Sequence, residues 1–158
     1  MKVLCDHMLG SLATWLRIFG VDTAYPSNTT PDDEILRQVK SEGRLLITRD
    51  KALAARARKA AVPVMLVSSM QLLPQLKQVI EALPVEESAV LSRCTICNTL
   101  LVPVDSSEAE KHVPPKVFER QTRFWFCPSC QKYYWMGTHY EDMEKRIAVL
   151  LREKKGSV

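Results

Sequence analysis

Four of the five cysteines fall into two Cys-x-x-Cys pairs, Cys94/Cys97 and Cys127/Cys130, separated by the 29 residues 98–126. Two such pairs are the arithmetic of a metal site, not of a disulfide framework. Each pair can present two thiolates from a tight turn, and four thiolates complete a tetrahedral Zn2+ shell with no position left for water. The zinc they imply is structural, and its binding energy would help fold a module too small to rely on its own core. A redox reading of Cys-x-x-Cys would need a thioredoxin-like helix start, which the sequence lacks. Cys5 stands apart within Val3-Leu4-Cys5 and reads as a small buried core residue.

A second constellation is acidic. Asp6 and Asp50 each directly follow an apolar β-forming run, and Asp32 and Asp33 open a helix further along the chain. In open α/β sheets, ligands gather outside the carboxyl ends of the strands, so three or four carboxylates could share one rim. Such a cluster repels itself unless a divalent cation is present, and hard oxygen ligands suit Mg2+ or Mn2+. The chemistry would be phosphodiester hydrolysis with no covalent enzyme intermediate, because the cation can generate hydroxide and stabilise the leaving oxygen. Arg17, Arg49 and Lys51 would then hold the substrate by phosphate contacts. The plainer alternative is that Asp6 and Asp50 cap helices and that Asp32 and Asp33 complement a helix dipole.

The elements that must position these groups alternate through the first half. Lys2–Cys5 reads as a strand ending on Asp6. Met8, Leu9, Leu12, Trp15, Leu16 and Phe19 then repeat at helical spacing up to Gly20. Residues 23–25 read as a second strand, and Thr30-Pro31-Asp32-Asp33 opens a helix with its cap, proline and acids in order. Residues 45–48 form a strand closed by Arg49-Asp50, residues 52–60 a basic helix, 63–67 a fourth strand and 70–83 a last helix. Strands separated by helices, without hairpin signals, describe a doubly wound parallel sheet. The Gly-rich turn of a dinucleotide-binding fold is missing from Asp6-His7-Met8-Leu9-Gly10. Residues 85–92 read as a linker between a domain at 1–84 and a smaller module at 93–158.

At 158 residues the chain can hold one real core and a smaller module. No apolar run approaches the roughly 20 residues that cross a bilayer, and Lys2 and Asp6 interrupt the start before a signal core could develop. We expect a soluble, non-exported, cytoplasmic protein without membrane contact. The net charge of +4 is modest, although residues 88–158 carry 11 Lys and Arg against 8 Asp and Glu. Bulk charge is therefore weak support for nucleic-acid binding.

Taken in order, Asp6-His7-Met8-Leu9-Gly10, Trp15-Leu16-Arg17 with Gly20, Gly43–Asp50, Arg93-Cys94-x-x-Cys97-Asn98, Cys127-x-x-Cys130 and Tyr134-Trp135-x-Gly137-x-His139 resemble the C-terminal RNase domain of the Mut-seven exonuclease family. The resemblance spans nearly the whole chain. It implies an α/β fold, a PIN-like three-layer domain with a central parallel sheet, followed by a small C-terminal zinc ribbon. It implies an endoribonuclease with Asp6 and Asp50 as principal Mg2+ or Mn2+ ligands and Asp32 or Asp33 as the helix-start acid.

Around the second cysteine pair, bases and aromatics interleave from Arg120 to Trp135, as on a surface that stacks unpaired bases and binds phosphate. Strand alternation sends about half of them to the ribbon's own core. Arg123, Trp135 and His139 are the candidates for RNA contact, and His139 is not needed as a zinc ligand. Residues 140–152 read as a helix and Arg152, Lys154 and Lys155 as a basic tail, by default solvated. The rival readings are a non-catalytic module that binds RNA, ribosomes or a protein partner, and a toxin-type RNase; a homodimer is compatible with either.

Overall fold

The computed structural model describes residues 1–137 together with 141, 142, 145, 148, 149 and 152. The chain divides into two compact units, Met1–Asn98 and Thr99–Val158.

The first unit is built on four parallel strands, β1 (Lys2–Cys5), β2 (Asp22–Ala24), β3 (Leu45–Thr48) and β4 (Val64–Leu66), in the order β2-β1-β3-β4. Val3 pairs with Thr23 on one side and with Leu45 on the other. The helices between and after them are α1 (Gly10–Ile18), α2 (Asp32–Glu42), α3 (Lys51–Lys59) and α4 (Leu72–Ala82). Side chains alternate across a strand, and the two faces are covered differently. Leu4 and Leu46 pack with Ile35 and Val39 of α2 and Leu53 and Ala57 of α3. Val3, Cys5 and Ile47 point the opposite way, all completely buried, on the side where α1 and α4 touch each other. The result is the three-layer arrangement expected from the alternation of elements.

From β1 the chain passes to β2 on one side, whereas from β3 it passes to β4 on the other. The carboxyl ends of β1 and β3, which are neighbours, therefore flank the point where the connections diverge, the place where open α/β sheets form a crevice.

The expected cap of α2 differs in detail. Pro31 occupies the N-cap with no side-chain bond, while Thr30 joins Ser27 through their hydroxyls at 2.9 Å. Gly20 has φ of 78°, and a Cβ there would stand 2.1 Å from the Ala89 carbonyl oxygen. Its absent side chain lets the segment expected as a linker pack close to the end of α1 inside the first unit, where Leu91 N–H also donates to the Ile18 carbonyl at 2.7 Å.

The second unit contains β5 (Val102–Val104), α5 (Ser106–Ala109), α6 (Pro115–Phe118), β6 (Phe124–Cys127) and β7 (Lys132–Trp135). The three strands form an antiparallel sheet in the order β5-β6-β7. Its small core gathers Ala109, Val113 and Phe124, with Val104, Val117, Phe118, Tyr133 and Trp135 around them. Of the helix expected over 140–152, residues 141, 142, 145, 148, 149 and 152 are helical; its other residues, and the basic tail beyond Arg152, lie outside the described residues. Among the described residues no helix is long and apolar enough to cross a membrane.

Candidate carboxylate site and zinc centre

Asp6 is locked where β1 ends. Its N–H donates to the Ile47 carbonyl at 3.1 Å, extending the ladder by one residue. Its carboxylate accepts from Met8 N–H at 2.9 Å and so caps the short turn His7–Leu9. The other carboxylate oxygen accepts from the hydroxyl of Thr48, whose oxygen in turn accepts from Asp50 N–H at 2.9 Å. Thr48 is fully buried and Asp6 is 2% exposed, so one hydroxyl links the Asp6 carboxylate to the backbone of Asp50 at the divergence point. Asp50 itself is exposed. One of its oxygens caps α3, accepting from Ala52 N–H at 2.7 Å and Leu53 N–H at 3.0 Å. Behind Asp6, the Tyr25 hydroxyl donates to the His7 carbonyl at 2.8 Å.

The capping roles of Asp6 and Asp50 are thus real. They also leave both acids on the rim where a ligand would sit, beside the half-buried Arg49 and the exposed Lys51. Asp32 and Asp33, at the start of α2, are engaged by Arg56 of α3: its guanidinium is 2.8 Å from Asp32 and also bonds Asp33. Among the described residues, the group of three or more potential ligands close enough to hold one ion consists of cysteines, not of these acids. Thr48 and Arg56 are functional candidates that sequence reading misses. Thr48 reads as a strand residue and Arg56 as one base among several in an alanine-rich helix.

The four cysteine sulfurs lie within 4.8 Å of one another. Tetrahedral zinc with Zn–S of about 2.3 Å needs sulfurs about 3.8 Å apart, so the donor set fits. The two pairs are built alike. In each, the second cysteine's N–H points at the first one's sulfur, at 3.5 Å for Cys97 to Cys94 and 3.3 Å for Cys130 to Cys127. The residue after each pair, Asn98 or Gln131, adopts a left-handed φ of 71° or 57° and bonds back to the first cysteine's carbonyl. Each turn therefore brings its own two sulfurs together.

Arg17 corrects an expectation. The sequence suggests a contact with substrate phosphate, but Arg17 is 6% exposed and its guanidinium donates to the carbonyls of Thr23, Thr95 and Ile96, at 3.0, 3.0 and 2.7 Å. The reason is length. Helix α1 starts at the carboxylate rim, and its eighth residue lies about 10 Å further along the axis. At that amino-terminal end of the sheet Arg17 buttresses the first cysteine turn. Burial lowers its pKa, against the opposing pull of nearby anionic groups.

The same end carries a polar network. Asn98 accepts from Thr23 N–H at 3.0 Å and donates to Asp22 at 2.9 Å. Arg93 donates to the Gly20 and Asn98 carbonyls at 3.2 and 3.0 Å. Arg44 pairs with Asp22 at 2.7 Å and with Glu42. Burial alone would raise the Asp22 carboxyl, but hydrogen bonds from Arg44 and Asn98 and the charges of Arg44 and Arg93 together hold it below the ordinary range. Burial, reinforced by the Asp6 charge, pushes the Cys5 thiol up, as suits an inert core residue.

Trp135 also departs from expectation: it packs against the Phe124 cluster and is drawn into the ribbon's core. Arg123 is exposed. His139 lies outside the described residues.

A family model described as the Mut7-C RNAse domain matches residues 1–147. Among curated proteins no match is found.

Proposed function

This chain belongs to the Mut7-C RNAse domain family, and from that membership we propose that it is an endoribonuclease dependent on Mg2+ or Mn2+, cutting RNA at the carboxylate rim while the zinc ribbon holds the strand. The observation that carries the reading is the pair Asp6 and Asp50, joined through Thr48 at the point where the sheet's connections diverge. Sheets of this kind bind ligands there, and one buried hydroxyl ties the Asp6 carboxylate to the backbone of Asp50, which supports a fixed direction for the Asp6 carboxylate.

Asp6 and Asp50 would hold the ion, with Asp32 or Asp33 as the third acid. Once bound, the cation supplies Lewis acidity toward the phosphoryl group and a water poised to lose a proton near neutral pH. The remaining work falls to the chain itself. Thr48 and Met8 N–H fix the direction of the Asp6 carboxylate. Arg49 and Lys51 are placed to bind phosphate oxygens flanking the scissile bond, contacts that position the strand without reading its sequence. Zinc takes no part in the cutting, since Cys94 and Cys97 belong to the turn braced by Arg17 at the opposite end of the sheet from Asp6.

A second reading is favoured by one observation: Arg56 neutralises Asp32 and Asp33, and both Asp6 oxygens are already bonded within the protein. In that reading the chain binds RNA without cutting it. Incubating the zinc-loaded chain with end-labelled single-stranded and structured RNA separates the two. Internal cleavage products that require added Mg2+ or Mn2+ are expected. Intact RNA, retained in a complex, would favour the binding module.

A further inference from the structure

Charge is divided unevenly along the first unit. Residues 1–50 hold six Lys and Arg against seven Asp and Glu, whereas residues 51–80 hold five Lys and Arg and no Asp or Glu. That acid-free stretch builds α3, β4 and most of α4. Four of its five cations lie on α3, a helix of nine residues that starts beside Asp50 at the carboxylate rim. Helical spacing sorts them. Leu53, Ala54 and Ala57 are buried, which turns the opposite arc outward. Arg56 stands on the edge of that arc next to α2, and Asp32 and Asp33 hold it there. Lys51 and Arg58 are seven residues apart, two helical turns, and so share a row on the other side of the arc. Lys59 flanks that row and Ala55 lies between, all of them exposed. Among the described residues, Arg56 alone of the α3 cations is paired with an acid. Arg58 and Lys59 suit the negative end of the helix dipole, but Lys51 stands in the first turn, where the dipole disfavours a cation. Helix stability therefore does not account for the row.

We propose that this row is a track for the sugar-phosphate backbone of the RNA substrate, leading from the carboxylate rim along α3 past Ala55 to Arg58 and Lys59. This deepens the ribonuclease reading and rests on it. Lys51 and Lys59 are eight residues apart, so the track extends about 12 Å from the rim. A strand with one negative charge per nucleotide complements a row of cations that no acid neutralises, and each phosphate placed there releases its counterions. Ala55 presents only a methyl group, which leaves the backbone room to approach the helix. Contacts of this kind hold a strand without reading its bases. The track thus adds grip on the substrate beyond the scissile bond and no sequence preference.

The test uses the full zinc-loaded chain, without added Mg2+ or Mn2+ so that RNA stays whole, and fluorescence anisotropy of a labelled oligouridine over a series of KCl concentrations. Each phosphate contact on a single strand adds about 0.7 to the steepness of log affinity against log salt. Arg58→Gln/Lys59→Gln should therefore lower that steepness by about 1.4, while the charge-keeping Arg58→Lys/Lys59→Arg should retain the wild-type value. Arg37→Gln/Lys40→Gln removes the same charge from exposed positions of α2 and should leave the steepness unchanged. An equal fall in both glutamine doubles would overturn the track, since bulk charge would then explain the binding. So would wild-type steepness in a folded, zinc-replete Arg58→Gln/Lys59→Gln chain, the result expected if the row meets some other anionic partner. In both cases metal-dependent cleavage by wild type would leave the ribonuclease reading standing, whereas a wild type that neither binds nor cuts RNA would sink both.

Discussion

Asp50 and Asp6 each cap a helical segment, and in the proposed reading each would also hold the cation. An aspartate after a strand and before a helix reads from sequence as a cap or as a site acid, and both fill the capping role. Thr48 was not legible, because its importance lies in reaching Asp6, 42 positions away in sequence, and no local pattern encodes that contact. Thr48→Val keeps the shape of the side chain but strips a donor from Asp6 and an acceptor from Asp50 N–H. A buried group left unsatisfied costs about 1–3 kcal/mol, and loss of an outer-shell partner costs about 10- to 100-fold in metal affinity or activity. Thr48→Ser should recover most of the activity. Equal activity in Thr48→Val and wild type would remove Thr48 from the site. Asp22 gives a pH prediction. Its folded pKa lies below the unfolded value of about 3.9, so its stabilising effect is fully present above that value and is lost as pH falls through the folded one. Urea midpoints of Asp22→Asn and wild type should differ most near neutrality and converge as pH falls below about 4; equal midpoints at neutral pH would contradict it.

Among the elements, β1 and β3 were readable because each buried run ends within two residues of an acid, and the parallel order followed from the intervening helices. The functional position of Arg17 was misread for a reason the same elements contain: a side chain two turns down a helix has left the rim where the helix began. The cluster under α2 and α3 depends on Leu46, completely buried, and Leu46→Ala should cost about 2–5 kcal/mol by chemical denaturation. The link between α2 and α3 behaves otherwise. Arg56 and its two acids are largely exposed, so Arg56→Ala should change stability by no more than about 1 kcal/mol. By freeing Asp32 and Asp33 it should raise Mn2+ affinity, measured by calorimetry. Unchanged or weaker Mn2+ binding would argue that neither acid serves the site.

For the whole molecule, the sequence announced zinc through its four cysteines but not what the first pair leans on. Cys94 and Cys97 flank the carbonyls that Arg17 holds, and Asn98 closes their turn onto Asp22 and Thr23. Chelating the zinc should therefore lower the stability of the nuclease unit as well as the ribbon, visible as lost amide-exchange protection in α1 and β2; protection unchanged there would show the first unit to be independent of the metal. In the proposed reading Asp50 holds a catalytic cation as well as capping α3, and asparagine caps a helix about as well as aspartate. The most direct measurement is Mg2+- or Mn2+-dependent cleavage of labelled RNA by wild type and Asp50→Asn, with zinc content and thermal midpoint matched. The variant should fold normally and retain under about a hundredth of the activity, a larger loss than an outer-shell partner carries. Equal cleavage by the two chains would contradict it and return Asp50 to the role of a cap.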